Sequence, residues 1–199
     1  MPRAFNSREE TAIRDSLRKS GRDLFCRNGL AGTTIDALAR AAGIAKGSFY
    51  KFYSSKEVLY FDLLEDANEA LRQPLLKVEA ETHRDRAWLT AQFRILMQKS
   101  LEEPLIRNLT DAATMQALYR RIPSARLKAH EQKDQLFLDE LIKNWSPSEN
   151  RPDRDEIAAR LTMAVMVALQ PQFFGEHLHG LALDAAIASL VDGLYPGLN

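Results

Sequence analysis

The amino-acid sequence predicts an all-α protein with a small N-terminal and a larger C-terminal helical domain. Apolar residues recur every three to four positions along most of the chain, as they do on one face of a helix, and strand-like alternation persists nowhere. Glycines and prolines lie mostly between these periodic segments, where they end helices. A chain of 199 residues with 45% hydrophobic residues is long enough to form both domains.

The first helix is predicted over about residues 8–28, with Ser7 and Glu10 forming a capping box at its start. Gly21 lies in the middle of this helix, where glycine costs about 1 kcal/mol relative to alanine. We therefore expect Gly21 to pack closely against the following helices. Cys26 is the one cysteine of the chain and is interpreted as a small buried residue, with a redox-sensing thiol as the alternative.

The next segment contains two short helices that meet at a glycine turn. Thr33 is predicted to cap the first of them, with Asp36 as its reciprocal partner. Gly43 is predicted to end that helix, because the left-handed backbone conformation found there favours glycine. The second helix is predicted over Ala45–Tyr53, and Ala45 gives it no side-chain cap. This is the pattern of a helix-turn-helix unit.

The second of these helices has two chemically different faces. Phe49 and Tyr53 are four residues apart and can share a buried face. The opposite face carries basic, aromatic and glycine residues: Lys46, Gly47, Tyr50 and Lys51. A helix with such a face, placed second in a helix-turn-helix unit, is suited to enter a DNA groove.

A third helix follows directly. Ser54 is predicted to open it in a capping box with Glu57. Lys56 lies in its first turn, where backbone amides and a lysine together favour phosphate binding.

Residues 8–60 resemble, roughly and without gaps, the DNA-binding domain of TetR-family bacterial repressors. The matching positions are Leu24-Phe25, Gly29, Gly32-Thr33-Thr34-Ile35, Ala39, Ala42-Gly43-Ile44, Lys46-Gly47-Ser48-Phe49-Tyr50, Lys56-Glu57 and Leu59. The resemblance implies a helix-turn-helix DNA-binding domain at residues 1–55 and a helical effector-binding and dimerisation domain at residues 56–199. Beyond residue 60 the chain matches the family only in being helical and of suitable length.

The resemblance also implies which residues contact double-stranded DNA. These are Thr33, Thr34, Lys46, Gly47, Ser48, Tyr50, Lys51 and Lys56. Gly47 would let the helix backbone approach closely, and Lys46 and Lys51 can reach guanine edges or phosphates. Lys56 is expected to contact a phosphate, which sets register but carries no sequence information.

The charge distribution agrees with a DNA-binding N-terminal part. Residues 1–60 contain 11 Lys and Arg against 6 Asp and Glu, a net charge of +5, whereas residues 61–199 contain 16 against 21, a net charge of −5. This asymmetry, hidden by the overall charge of zero, favours a nucleic-acid face on the N-terminal part. Arg3 lies on an N-terminal arm, which either reaches the minor groove or stays solvated.

The rest of the chain is predicted to consist of helices and one clear loop, Ser146–Pro152. Apolar residues nearly encircle the last two helices, which is more than one internal face requires. The resemblance implies a homodimer built from these helices, and an ordinary core is the alternative. The candidate interface residues are Ala164, Val167, Ile187, Leu190, Val191 and Leu194.

The resemblance further implies a small-molecule effector that binds in the C-terminal domain. Pockets of this kind are mostly apolar, and a plain core is the alternative for each residue that could line one. The candidates are Trp88, Phe93, Met97, Met115, Tyr119, Phe137, Met163 and Met166. The implied function is a repressor that an effector releases from a near-palindromic operator, by favouring a conformation with misplaced recognition helices.

Two other classes of function are less compatible with the sequence. An enzyme is disfavoured, because the chain has no phosphate-binding glycine loop and no G-x-S-x-G elbow, and Asp134 stands where a zinc-binding helix beginning at His130 needs its second histidine. Glu176, His177 and His179 lack the spacing of a helical metal-binding pair, so no metal, cofactor or catalytic residue is expected. An architectural DNA binder without a ligand is the other alternative, and the large C-terminal domain argues against it.

The sequence favours a cytoplasmic protein without a membrane partner. It has no apolar run of about 18 residues and no signal-peptide core at its N-terminus. A single cysteine cannot form an intramolecular disulfide, which suits a reducing compartment.

Overall fold

The computed structural model describes residues 6–77, 85–146 and 151–195. These residues form ten α-helices and two short 3-10 turns, without a β-strand, which confirms the all-α prediction. The helices are α1 (Ser7–Gly32), α2 (Ile35–Ala41), α3 (Lys46–Phe49), α4 (Lys56–Leu76), α5 (Arg86–Glu102), α6 (Pro104–Arg107), α7 (Ala112–Arg121), α8 (Ser124–Trp145), α9 (Arg154–Leu169) and α10 (Glu176–Leu194). No described helix combines the length and hydropathy needed to span a membrane. Arg3 and residues 147–150 of the predicted loop lie outside the described residues.

Helix α1 begins one residue earlier and ends four residues later than predicted. Asn6 caps it by accepting a hydrogen bond from the Glu9 amide at 2.8 Å, while the Asn6 amide donates to the Glu9 carboxylate at 2.9 Å. The predicted capping box of Ser7 and Glu10 is therefore wrong by one residue. Gly29, with a φ of 67°, kinks the helix close to its predicted end.

Gly21 makes the close helix contact that the sequence predicts. A Cβ atom at this position would lie 3.0 Å from Cδ2 of Leu59 and 3.3 Å from Cδ1 of Leu63 on α4. Both leucines are buried, so they have little room to move away. The glycine allows α1 and α4 to approach each other and thereby fixes the base of the N-terminal domain.

The N-terminal helices pack on a core that they share with α6 and α7. We call this the proximal core, and its buried members include Leu17, Phe25, Leu38, Phe49, Leu59, Tyr60, Leu105, Ile106, Leu118 and Ile122. The Tyr60 hydroxyl donates a hydrogen bond to the Leu105 carbonyl at 2.7 Å, which ties α4 to α6. The proximal core contains residues from both sides of position 55, so α4 belongs structurally to both parts of the chain. A domain boundary at residue 55 stays a prediction.

The C-terminal helices enclose a second core. We call it the distal core; its buried members include Leu75, Leu89, Phe93, Met97, Leu141, Ile157, Ala164, Ile187, Leu190, Val191 and Leu194. Helices α9 and α10 run antiparallel, since Val167 contacts His179 and Arg160 contacts Ser189 through hydrogen bonds. The end of α4 reaches this core through Leu75, so a single helix spans both cores.

The buried positions of α9 and α10 correct the predicted dimer interface. Ala164, Ile187, Leu190, Val191 and Leu194 are completely buried within the chain and leave no surface for a partner. Val167 is half-buried. These residues form the contact between the two helices and their neighbours, as the alternative of an ordinary core predicts.

Candidate DNA interface and cavities

The first helix of the helix-turn-helix unit begins at Ile35, one residue later than predicted. Thr34 caps it, since its hydroxyl accepts a hydrogen bond from the Ala37 amide at 3.1 Å. Thr33 is 1% exposed, and its hydroxyl donates to the Gly29 carbonyl at 2.8 Å. Thr33 therefore joins the end of α1 to the start of the unit, and the prediction that it caps with Asp36 is wrong.

The turn and the second helix follow the predicted order. Gly43 has a φ of 72°, which confirms the left-handed conformation expected at the end of α2. Helix α3 is shorter than predicted, because only Lys46–Phe49 is helical and the chain turns through residue 52. Ala45 provides no side-chain cap, as expected. Phe49 and Tyr53 are both buried, with ring centroids 6.0 Å apart, which confirms their shared face.

The opposite face of this unit is open to solvent. Lys46, Gly47, Tyr50 and Lys51 are exposed, and Ser48 is half-buried. Tyr50 is 53% exposed although it packs edge-on against Phe49, with ring centroids 5.7 Å apart. Its ring is thus held by the core while its outer edge faces solvent, which suits contact with a partner.

Gly47 has no role in internal packing. A Cβ atom placed on it would meet no other heavy atom within 4 Å, and its backbone does not adopt the left-handed conformation that favours glycine. A glycine inside a helix is unfavourable relative to alanine by about 1 kcal/mol. Nothing in the described part of the chain therefore requires a glycine at this position, whereas close approach of a partner would.

An open recess of about 480 Å³ lies beside this face. Its lining residues are Thr33, Thr34, Ile35, Asp36, Lys46, Tyr50, Ser54, Ser55, Lys56, Glu57 and Arg121. The structure thus brings five of the eight predicted DNA-contact residues to one recess, with Gly47, Ser48 and Lys51 outside its lining. Arg121, at the end of α7, was not predicted, because the sequence alone does not show that α7 reaches this surface.

Lys46 pairs with an acidic residue across the turn. Its Nζ atom lies 2.7 Å from the Asp36 carboxylate, and the hydrogen bond from Lys46 to Asp36 raises the pKa of Lys46. Both side chains are more than half exposed. A surface pair of this kind is worth little and exchanges readily, so Lys46 can leave Asp36 for a DNA base or phosphate.

Lys56 has a structural role that the sequence did not indicate. Its Nζ atom donates hydrogen bonds to the carbonyls of Leu30 and Thr33, both at 2.7 Å. These carbonyls lie at the C-terminal end of α1, where a positive charge is favourable. Lys56 therefore fastens the start of α4 to the end of α1. Ser55, not Ser54, caps α4 through the Val58 amide at 3.3 Å, so the predicted capping box with Glu57 is wrong.

Comparison with known proteins identifies the family of this domain. The sequence profile described as bacterial regulatory proteins, tetR family, matches residues 17–63, from the middle of α1 into α4. This N-terminal domain belongs to the TetR family. The uncharacterized HTH-type transcriptional regulator YerO of Bacillus subtilis is 40% identical to it over 61 residues, or 31% of this chain. That stretch spans only 19% of the length of YerO.

Solved structures, among them TetR-family transcriptional regulators, share the fold over almost the whole chain. A regulator from Pectobacterium atrosepticum superposes with a TM-score of 0.58 over 94% of both chains, at 20% identity. RolR, solved in complex with resorcinol, superposes with a TM-score of 0.58 over 92% of this chain and 89% of its own, at 19% identity. At such low identity these likenesses establish the fold alone. The C-terminal helices therefore share the TetR-family arrangement as well as the N-terminal ones.

The C-terminal part of this TetR-family fold contains a small apolar cavity. It has a volume of about 140 Å³ and lies between α4, α7 and α8. Its lining residues are Phe61, Leu64, Leu109, Met115, Leu118, Tyr119, Leu127 and His130. Tyr119 and His130 carry the polar atoms of this lining, and the His130 ring packs edge-on against Phe61 with centroids 5.3 Å apart.

A second cavity of about 250 Å³ lies between α4, α8 and α9 and includes Phe137 in its lining. Of the eight predicted effector-pocket residues, Met115 and Tyr119 line the smaller cavity and Phe137 lines this one. Five others need correction. Phe93 and Met97 are fully buried in the distal core, and Trp88 stacks on Trp145 with centroids 5.0 Å apart. Met163 and Met166 lie on the surface, 58% and 55% exposed.

Two further features bear on a redox-sensing thiol and on a metal site. Burial raises the pKa of Cys26, which disfavours the reactive thiolate form. Among the side chains that the structure describes, which exclude that of Glu176, no three of His, Cys, Asp or Glu are close enough together to hold a metal ion. His179 instead lies 3.0 Å from the Val167 carbonyl, where it links α10 to α9.

Proposed function

We propose that this TetR-family protein is a transcriptional repressor, that it binds a near-palindromic operator as a homodimer, and that a small-molecule effector releases it. The observation that carries the DNA-binding role is the exposed face of α3, where Gly47 has no internal reason to lack a side chain. Lys46 and Tyr50 flank that position and are both exposed. A helix with long polar side chains next to a glycine suits insertion into the major groove of DNA.

Exposed apolar stripes on α9 and α10 support a dimer. Met163 and Met166 on α9, and Leu178 and Leu181 on α10, are each more than half exposed. The antiparallel pairing of the helices, seen in the contact between Val167 and His179, brings Met166 and Leu181 to about the same level. Two such helices and their symmetry mates would form a four-helix contact around a two-fold axis.

The proposed dimer has a direct test in Met166→Glu, which places a charge in the exposed stripe. We expect wild-type protein to sediment as a dimer and Met166→Glu as a folded monomer with strongly reduced operator affinity, since each half-site then binds alone. Leu136→Glu is the matched control, because Leu136 is 66% exposed and lies on α8 rather than on α9 or α10. A dimer that survives Met166→Glu but not Leu136→Glu would place the interface on α8 instead.

The apolar cavity between α4, α7 and α8 is the proposed effector site. Its volume of about 140 Å³ suits a single aromatic ring, because an engineered apolar cavity of about 150 Å³ binds benzene. The polar groups that can hydrogen-bond such a ligand are the Tyr119 hydroxyl and the His130 ring, whose nitrogens lie 3.6 Å from Glu65 and 3.8 Å from Asp134. We infer that the effector is a small monocyclic aromatic compound with a polar group. RolR, which has the same fold, forms a complex with resorcinol, a compound of this class.

Phenol is a suitable probe of this cavity. We expect millimolar phenol to raise the thermal unfolding midpoint of the wild-type protein and to lower its affinity for operator DNA. In Leu127→Trp the indole fills the cavity, so phenol should have neither effect. Phenols with a naphthalene-sized ring system are the size control, because the cavity volume suits a single ring. Equal responses of wild type and Leu127→Trp would show that phenol binds elsewhere.

A further inference from the structure

Helix α7 ends in two adjacent arginines that differ in their surroundings. Arg120 and Arg121 are both exposed, and only Arg121 contributes to the lining of the recess beside the α3 face. Arg121 comes from the C-terminal part of the chain, whereas the other lining residues belong to the segment from Thr33 to Glu57. The recess is therefore closed on one side by a cation from outside the helix-turn-helix unit.

The other cations of the recess already have partners. Lys46 pairs with Asp36 at 2.7 Å, and Lys56 donates to two carbonyls at the end of α1. Glu57 adds a negative charge to the same lining. Arg121 forms no ion pair or side-chain hydrogen bond with any residue in the described ranges. Among the cations that line the recess, it is thus the one whose charge is not already engaged within the described part of the chain.

The backbone beneath Arg121 is firmly held. Leu118 and Ile122, on either side of it, are both buried in the proximal core. The Ile122 amide donates to the Leu118 carbonyl at 2.9 Å, which keeps the end of α7 helical. Arg126, further along the chain, pairs with Asp62 and Glu65 on α4. A long side chain on such a fixed base can reach a ligand in the recess at a reproducible position.

We propose that Arg121 binds a phosphate of the operator backbone and so extends the DNA contact beyond the helix-turn-helix domain. The role rests on the proposed DNA-binding function. A guanidinium suits this contact, because its planar donors match phosphate oxygens in a bidentate arrangement. Arg121 contributes affinity and register to the complex but no base preference, since a phosphate contact carries no sequence information.

The test compares the salt dependence of DNA binding for wild type, Arg121→Gln and the matched control Arg120→Gln, all as full chains on one operator duplex. Removal of one phosphate contact should lower the slope of log K against log salt by about 0.9 per protomer. Between 50 and 200 mM salt, one phosphate contact accounts for a change in affinity of about 3.5-fold. Arg121→Gln should show the lower slope on specific and scrambled duplexes alike, with unchanged thermal stability, while Arg120→Gln should match wild type.

Arg121→Lys separates charge from shape. It should keep the wild-type slope, with a smaller reduction of affinity than Arg121→Gln, because it retains the charge but not the bidentate donors. A wild-type slope in Arg121→Gln, or equal reductions in Arg121→Gln and Arg120→Gln, would overturn the role of Arg121 while leaving the proposed function intact. Absence of salt-dependent DNA binding in the wild-type protein itself would overturn both.

Discussion

Replacement of Lys56 by methionine tests the structural role of this residue. Methionine keeps most of the aliphatic stem but removes the amine that donates two 2.7 Å hydrogen bonds to the carbonyls of Leu30 and Thr33. A hydrogen bond from a charged donor contributes about 1.5–3 kcal/mol, and partial exposure of Lys56 lets water replace part of that. We therefore expect Lys56→Met to lower the free energy of unfolding by about 2 kcal/mol, allowing for that replacement.

This destabilisation should appear as a fall of about 4–8 °C in the thermal unfolding midpoint, followed by circular dichroism, for a chain of this length. Lys46→Met is the control, because its exposed pair with Asp36 should contribute at most about 1 kcal/mol. At a temperature where Lys56→Met is folded, its salt slope for DNA binding should equal that of wild type. An unchanged unfolding midpoint together with a slope lower by about 0.9 per protomer would refute the reasoning and make Lys56 a phosphate contact, as the sequence predicts.

Two further predictions follow from Gly47 and Glu65. Gly47→Ala should leave thermal stability unchanged or higher, since the new methyl group meets nothing within 4 Å. It should weaken operator binding about 5- to 150-fold, because overpacking against DNA costs about 1–3 kcal/mol. Unchanged operator affinity, measured by fluorescence anisotropy, would exclude close approach of DNA at Gly47. Burial raises the pKa of Glu65, but hydrogen bonds from Lys133 and Arg126 outweigh it and leave that pKa below its ordinary value of 4.5. Glu65 therefore stabilises the fold above pH 4.5, and this contribution is lost as the pH falls through its lowered pKa. The stability gap between wild type and Glu65→Gln, measured by urea unfolding, should shrink in acid; a gap that is constant from about pH 7 to about pH 3 would contradict this.

The helix-turn-helix unit could be predicted because its signals are local. Gly43 has the left-handed conformation that its place after α2 requires, and Phe49 and Tyr53 share the buried face that their spacing indicates. Helix starts were less predictable. At the starts of α1, α2 and α4, two adjacent residues are each able to cap the helix: Asn6-Ser7, Thr33-Thr34 and Ser54-Ser55. Propensity alone cannot choose between such neighbours, and in each case the structure uses a residue one position away from the prediction.

The roles that were missed or misassigned depend on contacts between distant parts of the chain. Lys56 donates to the carbonyls of Thr33 and Leu30, which lie 23 and 26 residues earlier, and no local sequence pattern indicates such distant partners. Arg121 reaches the recess only because α7 packs on α4. In α9 and α10, apolar residues surround both helices, so the sequence could not tell the internal side, with Leu190, from the exposed side, with Met166. Packing decides between the two, and packing is a property of the whole fold.

The most direct test of the central claim is fluorescence anisotropy of the wild-type protein on a duplex from the region immediately upstream of its own gene. A scrambled duplex of the same composition is the control, and both are measured at two salt concentrations. The account predicts tight binding to the native duplex that persists at the higher salt, and weak, salt-sensitive binding to the scrambled one. Equal, salt-sensitive binding to both duplexes, with no preferred inverted repeat after selection from random DNA, would contradict a sequence-specific repressor and favour an architectural DNA binder.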